Sequence, residues 1–221
     1  MQKEVMVIGG GIAGIQASLD LANRGFKVYL VEKGLSIGGR MAQLDKTFPT
    51  MDCSICILAP KMIECAHHRN VKLLTYSEVK GVKGSAGDFK VNVLRKPRYI
   101  DETKCSGCGI CAEHCPAEAF NEFDENMGIR KAIYMPFPQA VPRIMVIDKD
   151  NCLECGLCER VCPADAVNRE QQPEEIELNV GAIIVATGFD MFDASMIPQY
   201  GYKRFRNVVT AMELERILCA S

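Results

Sequence analysis

Apolar and polar positions are patterned along the chain in a way that predicts short strands toward both ends and a helix after the first strand. Val5 to Ile8 is an apolar run of strand length, and Ile15 to Ala22 places Ala17, Leu21 and Ala22 for packing at helical spacing. Lys27 to Val31 reads as a second strand ending at Glu32. Val71 to Tyr76, Val79 to Lys83 and Phe89 to Leu94 read as the short strands of a meander, with Gly87-Asp88 as a turn, and Glu175 to Leu178 is a fourth candidate. Ala182 to Ala186 has the length of a buried strand, while Gly84 to Gly87 and Glu170 to Glu175 are short polar connectors. Tyr134 to Pro142 (YMPFPQAVP) is too rich in proline for a helix or an inner strand. It is expected to be a rigid surface loop, either a docking face or a spacer.

The cysteines change this picture most. Cys105, Cys108, Cys111 and Cys115 fall at C-x2-C-x2-C-x3-C before Pro116, and Cys152, Cys155, Cys158 and Cys162 repeat the spacing before Pro163. This is the bacterial ferredoxin arrangement, in which three cysteines of a run hold one 4Fe-4S cluster and the fourth crosses to the other. The crossing predicts two sets: Cys105, Cys108, Cys111 with Cys162, and Cys152, Cys155, Cys158 with Cys115. Soft thiolates are what such clusters need, and the small residues Ser106, Gly107, Gly109 and Gly156 let backbone N-H groups reach the sulfurs. The alternative is a pair of four-cysteine zinc sites or a disulfide framework, but zinc sites usually pair C-x2-C units across a longer gap.

At the N-terminus, Gly9, Gly11 and Gly14 form G-x-G-x-x-G between the first strand and the first helix, and Glu32 ends the second strand. In that setting the glycines bring the backbone against a pyrophosphate at the positive end of the helix, and the acidic side chain holds a ribose hydroxyl. Gly38-Gly39-Arg40 follows, and Ala182 to Gly188 reads A-I-I-V-A-T-G. Together these motifs resemble the FAD domain of the glutathione reductase and thioredoxin reductase class. That resemblance implies that Gly9, Gly11, Gly14, Glu32 and Lys33 bind the ADP half, that Gly39 and Arg40 lie near the pyrophosphate and ribityl chain, and that Ala186, Thr187 and Gly188 close over the cofactor. NAD is the reading without the last two motifs, and Arg40 capping a surface loop is the plainer role for that side chain.

The expected fold is therefore α/β: an FAD-binding Rossmann-like domain of this class (1–95 plus 174–221) with an inserted α+β bacterial-type two-cluster ferredoxin domain (96–173). The insertion falls in the three-stranded meander that such flavoproteins carry, a strand-to-strand turn that leaves the host foldable.

The block Gly38 to Met62 (GGRMAQLDKTFPTMDCSICILAPKM), then LLTYSEV, the doubled cysteine run and VATGFD, resembles the A subunit of heterodisulfide reductase and its relatives. The resemblance implies an FAD and iron-sulfur electron-transfer subunit, in some complexes the site of flavin-based electron bifurcation. It implies partners of the disulfide-reductase and hydrogenase or dehydrogenase kinds, with ferredoxin as an acceptor. Members of that family continue for hundreds of residues. This chain is thus expected to be a fragment or a split subunit whose flavin site another polypeptide completes. Two other functions compete: a non-enzymatic iron-sulfur relay with the flavin domain as docking scaffold, and an NAD(P)H-linked flavin reductase, for which no second glycine fingerprint is visible.

Twelve cysteines and a net charge of -2 fit a cytoplasmic, oxygen-avoiding protein with no nucleic-acid footprint, and no segment approaches the roughly 20 apolar residues of a membrane span. Cys53 and Cys56 form a further C-x2-C unit in the family-specific block. They are expected to be ligands of a third cluster, a redox-active dithiol, or two small side chains at a helix start. His67, His68 and His114, Cys65 and Cys219, and the scattered methionines take plain structural readings.

Overall fold

The computed structural model describes residues 3–219. β1 (Glu4–Ile8) lies inside a parallel sheet, as its run Val5-Met6-Val7 requires, since both faces of that strand are covered and all three side chains are buried. α1 (Ile12–Asn23) buries Gly14, Ile15, Ser18, Leu19 and Ala22, one helical stripe. β2 (Lys27–Val31) pairs with β1 from Glu4–Lys27 to Ile8–Val31. α2 (Ser54–His67) buries Ser54, Leu58, Met62 and Cys65 on its inner face.

β3 (Val71–Leu74) pairs in parallel with β2, giving a four-stranded sheet closed on the other side by β7 (Ala182–Val185), in the order β7-β1-β2-β3. Two expectations are corrected here. The run at Val71 belongs to the parallel sheet and not to the meander, and the run at Ala182 is an edge strand, with Val185 69% exposed, rather than a buried one.

The antiparallel sheet is built from β4 (Ser77–Ser85), β5 (Asp88–Arg95) and β6 (Glu174–Val180). β5 and β6 pair without interruption from Arg95–Glu174 to Phe89–Val180, although residues 96–173 lie between them in sequence. Val91, Val93, Leu178 and Val180 pack this sheet onto Met6, Tyr29, Val31 and Leu74.

The intervening segment has its own core of Ile100, Cys111, Ile133, Ile144, Met145, Ile147 and Ala166. Short ladders (Glu118–Phe120 with Ile129–Lys131, Ile133–Tyr134 with Val146–Ile147) flank α3 (Ile110–Glu113) and α4 (Leu157–Val161). Its ends are tied by an Ile100–Val167 bridge and by the Asn168 N-H donating to Tyr99 O at 2.9 Å.

The proline-rich stretch is the seam between the two cores and not a surface loop. Phe137 and Ala140 are buried among Ile37, Ala42 and Leu58 of the host, and Phe137 stacks on Phe123 with ring centroids 4.6 Å apart. The Ile37 N-H donates to Val141 O at 3.0 Å, and the Val141 N-H to Ser36 Oγ at 2.8 Å. Prolines bar ladder pairing but not packing. Arg98 is a second anchor: 1% exposed, it donates to Leu35 O and Thr75 Oγ1, both at 2.7 Å, and ion-pairs with Glu102. α5 (Ala211–Leu218) opens with a capping box at Thr210 and Glu213, and its Arg216 reaches Asp124 of the insert and the Gln43 carbonyl of the host.

Candidate functional site

Each cysteine run ends by crossing over. Cys105, Cys108 and Cys111 line one cavity with Cys162 and Pro163, while Cys152, Cys155 and Cys158 line a second with Cys115 and Pro116. The turns that make this possible lie at matched positions. Gly109 (φ 84°) and Gly156 (φ 71°) are left-handed N-caps of α3 and α4, a conformation that disfavours side chains, and each helix then carries the third cysteine of its run into a wall. Apolar side chains, among them Ile100, Met145, Ile133 and Ile147, complete the linings.

The sulfurs surround a volume and do not converge on a point: no set of three or more His, Cys, Asp or Glu groups fit for a single ion forms among the described residues. Main-chain N-H groups already point at two of them, Glu154 to Cys152 Sγ and Ala166 to Cys162 Sγ, both at 3.4 Å. Burial pushes the Cys111 thiol up to about 11 and raises Cys158 as well. Thiols so placed become thiolate ligands when a bound metal centre displaces their protons. The donor set, its softness and the dry walls fit an iron-sulfur cluster in each cavity.

The glycine turn has a different geometry at each glycine. A methyl on Gly14 would stand 1.8 Å from Gly9 O, and one on Gly9 (φ 105°) would stand 2.3 Å from Ala186 O, so these two permit close backbone approach. A methyl on Gly11 would meet nothing within 4 Å. Gly11 is the N-cap of α1, with no side-chain cap and no acidic residue in the first turn. The helix therefore presents uncapped amides and its positive end to open space, the setting a pyrophosphate takes.

Glu32 lies beside that turn. Its Oε2 accepts from the Gly10 N-H and its Oε1 from the Gly34 N-H, both at 2.6 Å. A carboxylate offers about four lone-pair directions, so two remain open to a further donor. Lys33 next to it is exposed. Gly38 donates to Gly10 O at 2.7 Å, and Gly39 (φ 57°) abuts Gly11, where a methyl would stand 2.9 Å from its Cα. The Ala186 N-H donates to Ile8 O at 2.8 Å, which sets Thr187 and Gly188 at the exposed mouth of the turn.

Arg40 does not point along this cradle. It donates to Gln43 Oε1 at 2.9 Å and ion-pairs with Glu125 of the insert at 3.2 Å. Gln43, Glu125, Arg98 and Arg216 escape a reading of the sequence, where isolated polar residues in polar surroundings carry no periodic or motif signal. His67 and His114 bond the carbonyls of Ile63 and Ile110, each at 2.9 Å, as ordinary helix-end contacts. Cys65 is buried, with its thiol pushed up to about 11 by that burial. Cys53 and Cys56 are joined to each other as a disulfide.

Comparison with known proteins accounts for both regions. Residues 4–53 match the FAD dependent oxidoreductase family, and residues 104–167 match the 4Fe-4S dicluster domain. Over 218 residues the chain is 60% identical to the A subunit of the H(2):CoB-CoM heterodisulfide,ferredoxin reductase of Methanothermobacter marburgensis, covering 99% of this chain and 33% of that protein. The chain is a homologue of the heterodisulfide reductase A subunit. It is also 62% identical over 216 residues to the second iron-sulfur A subunit of the CoB--CoM heterodisulfide reductase of Methanopyrus kandleri (98% of this chain, 33% of that one). The A subunit of the Ferredoxin:CoB-CoM heterodisulfide reductase of Methanosarcina mazei is 52% identical over 217 residues (98% and 27%). The A-subunit homologue thus spans about a third of the length of the curated relatives it matches. Its cofactors are FAD and 4Fe-4S clusters, and no helix among the described residues is long and apolar enough to cross a membrane.

Proposed function

We propose that this chain is the flavin and iron-sulfur core of an A subunit that passes electrons between FAD and two 4Fe-4S clusters within a larger cytoplasmic oxidoreductase. One observation carries the reading: two rings of four sulfurs lie in a domain whose seam with the glycine cradle is a shared apolar core. Electron transfer needs cofactors held at fixed separation, and a buried seam supplies that where a flexible linker would not. FAD would contribute the ability to take an electron pair and release electrons singly. The chain's own residues hold it: Gly9, Gly11 and Gly14 shape the turn, Glu32 takes the ribose, and Gly39 to Arg40 flank the turn. Cys105, Cys108, Cys111 and Cys162 would hold one cluster, Cys115, Cys152, Cys155 and Cys158 the other.

The names of the relatives include reduction of the CoB-CoM heterodisulfide and of ferredoxin. For this chain we infer a place in the same class of reaction, with hydrogenase- or dehydrogenase-like and disulfide-reductase-like subunits as partners and bifurcation at the flavin as the mechanism. A further polypeptide segment would complete the flavin site. Anaerobically purified protein should contain about eight irons and eight acid-labile sulfides, together with a flavin released by acid. Flavin-free protein with both clusters intact would leave only an iron-sulfur relay.

A further inference from the structure

Cys53 and Cys56 are bonded to each other with Cα atoms 5.3 Å apart, at the start of the 14-residue helix α2. The surroundings give this bond little structural work. The helix start is already held by a two-stranded hairpin, with Lys46 opposite Cys53, and by the Ser54 N-H donating to Asp45 O at 3.2 Å. A bridge across three residues constrains the unfolded chain less than a long-loop bridge does.

The chemistry of the pair is asymmetric. Cys56 is exposed, so its sulfur can be approached from solvent, while Cys53 is half-buried and its Sγ accepts the Cys56 N-H at 3.3 Å. A thiolate on Cys53 would keep that hydrogen bond and lie at the positive end of α2, which makes Cys53 the better leaving group. The surface beside the pair exposes apolar side chains next to Thr50 and Asp52. The hairpin tip exposes Phe48 (79%) and Met51 (54%), and Ile57 is exposed one residue beyond Cys56.

We propose that Cys53–Cys56 is an exchangeable redox site that accepts an electron pair from a dithiol. A thiolate of the incoming dithiol bonds to Cys56 Sγ as the Cys53–Cys56 bond breaks, and Cys53 leaves as a thiolate. The second thiolate of the dithiol then displaces Cys56 from the mixed disulfide. The dithiol ends as a disulfide and the pair as two thiols, so two electrons and two protons have moved. Phe48 and Met51 at the tip give an apolar part of the dithiol a surface to rest on, and Asp52 disfavours an anionic one. This site goes beyond the flavin and cluster reading and stands or falls separately from it.

The test uses the full chain with its clusters in place, equilibrated without oxygen in graded mixtures of reduced and oxidised dithiothreitol, quenched with N-ethylmaleimide and read by peptide mass spectrometry. The expected result is one transition in which Cys53 and Cys56 pass together from unlabelled to doubly labelled. Cys53→Ser should then leave Cys56 trapping glutathione as a stable mixed disulfide when oxidised glutathione is supplied. A pair that stays unlabelled at every ratio would overturn the proposal. So would a Cys53→Ser, Cys56→Ser double variant that folds, keeps both ferredoxin-type signals and loses about four irons, which would make the pair cluster ligands.

Discussion

The carboxylate of Glu32 accepts the Gly10 main-chain N-H at 2.6 Å, so the acidic residue expected to hold a ribose also braces the glycine turn from inside. Replacing it removes two kinds of support at once. Glu32→Ala is expected to weaken flavin binding by roughly 10- to 100-fold, the loss of a charge-assisted hydrogen bond of about 1.5–3 kcal/mol. It should also lower the melting temperature of the flavin-free protein, because Gly10 and Gly34 lose their acceptor. Fluorescence titration and thermal melting read the two effects, and unchanged values in both would dismiss this role.

The three glycines of the turn should separate in the laboratory. A methyl on Gly11 would meet nothing within 4 Å, so Gly11→Val should fold and fail to retain flavin. Gly14→Ala forces a methyl against Gly9 O and should destabilise the chain whether or not flavin is present. Equal flavin affinity in Gly11→Val and the unmodified protein would show that the pyrophosphate lies elsewhere.

Crossed ligation makes a pairwise forecast. Cys115→Ser should damage the cluster shared with Cys152, Cys155 and Cys158, and Cys162→Ser the other, each at a loss of about four irons. Electron paramagnetic resonance of the two variants distinguishes the signals. Loss of the cluster formed by a residue's own run would contradict the crossing.

Phe137 links the cores through Phe123, Ile37 and Leu58. Phe137→Ala is expected to destabilise the folded protein by about 3–5 kcal/mol and to raise proteolysis at Tyr134 to Pro142. Denaturant melts and limited proteolysis measure this, and an effect under about 1 kcal/mol would mean that the seam is not held by that ring.

Glu78 accepts from Lys80 and pairs with Lys96, contacts that pull its carboxyl down from the usual 4.5 to about 2. A depressed acid contributes stability that is complete above its unfolded value and is lost as pH falls through the folded one. The contribution should therefore be present above about pH 4.5 and vanish towards pH 2. Glu78→Gln should flatten that part of the stability curve in acid melts, and an identical curve would remove the ion pair from consideration.

What can be read in advance is what has a period or a spacing. The Lys27 to Val31 strand falls on the residues its apolar run predicts, and the glycine turn precedes a helix as its motif demands. Sheet partnership is harder. Val71 to Leu74 is a strand by composition, but nothing in four residues states that it joins β2 and not the meander. The proline-rich stretch is legible as irregular and illegible as buried, because Phe137 and Ala140 give no periodic signal of packing. Arg98, almost fully enclosed, contradicts the usual exposure of its residue type and emerges only from the folded chain. Arg40 lies in a motif that points it at a cofactor, and its ion pair with Glu125 depends on a residue 85 positions away.

The unbroken ladder between β5 and β6 couples the folding of the insert to that of its host. If residues 96–173 were an open coil, bringing the two strands together would cost roughly 3 kcal/mol more in loop-closure entropy than a two-residue hairpin. A folded insert removes that penalty, since its ends already meet at Ile100 and Val167. An insert built around two cysteine-lined cavities would gain folding free energy from the metal it binds. β6 leads directly into β7 and the Ala186 to Gly188 segment that borders the glycine turn. Cluster loading of the insert is therefore expected to favour closure of the β5–β6 ladder and, through β7, the border of the glycine turn.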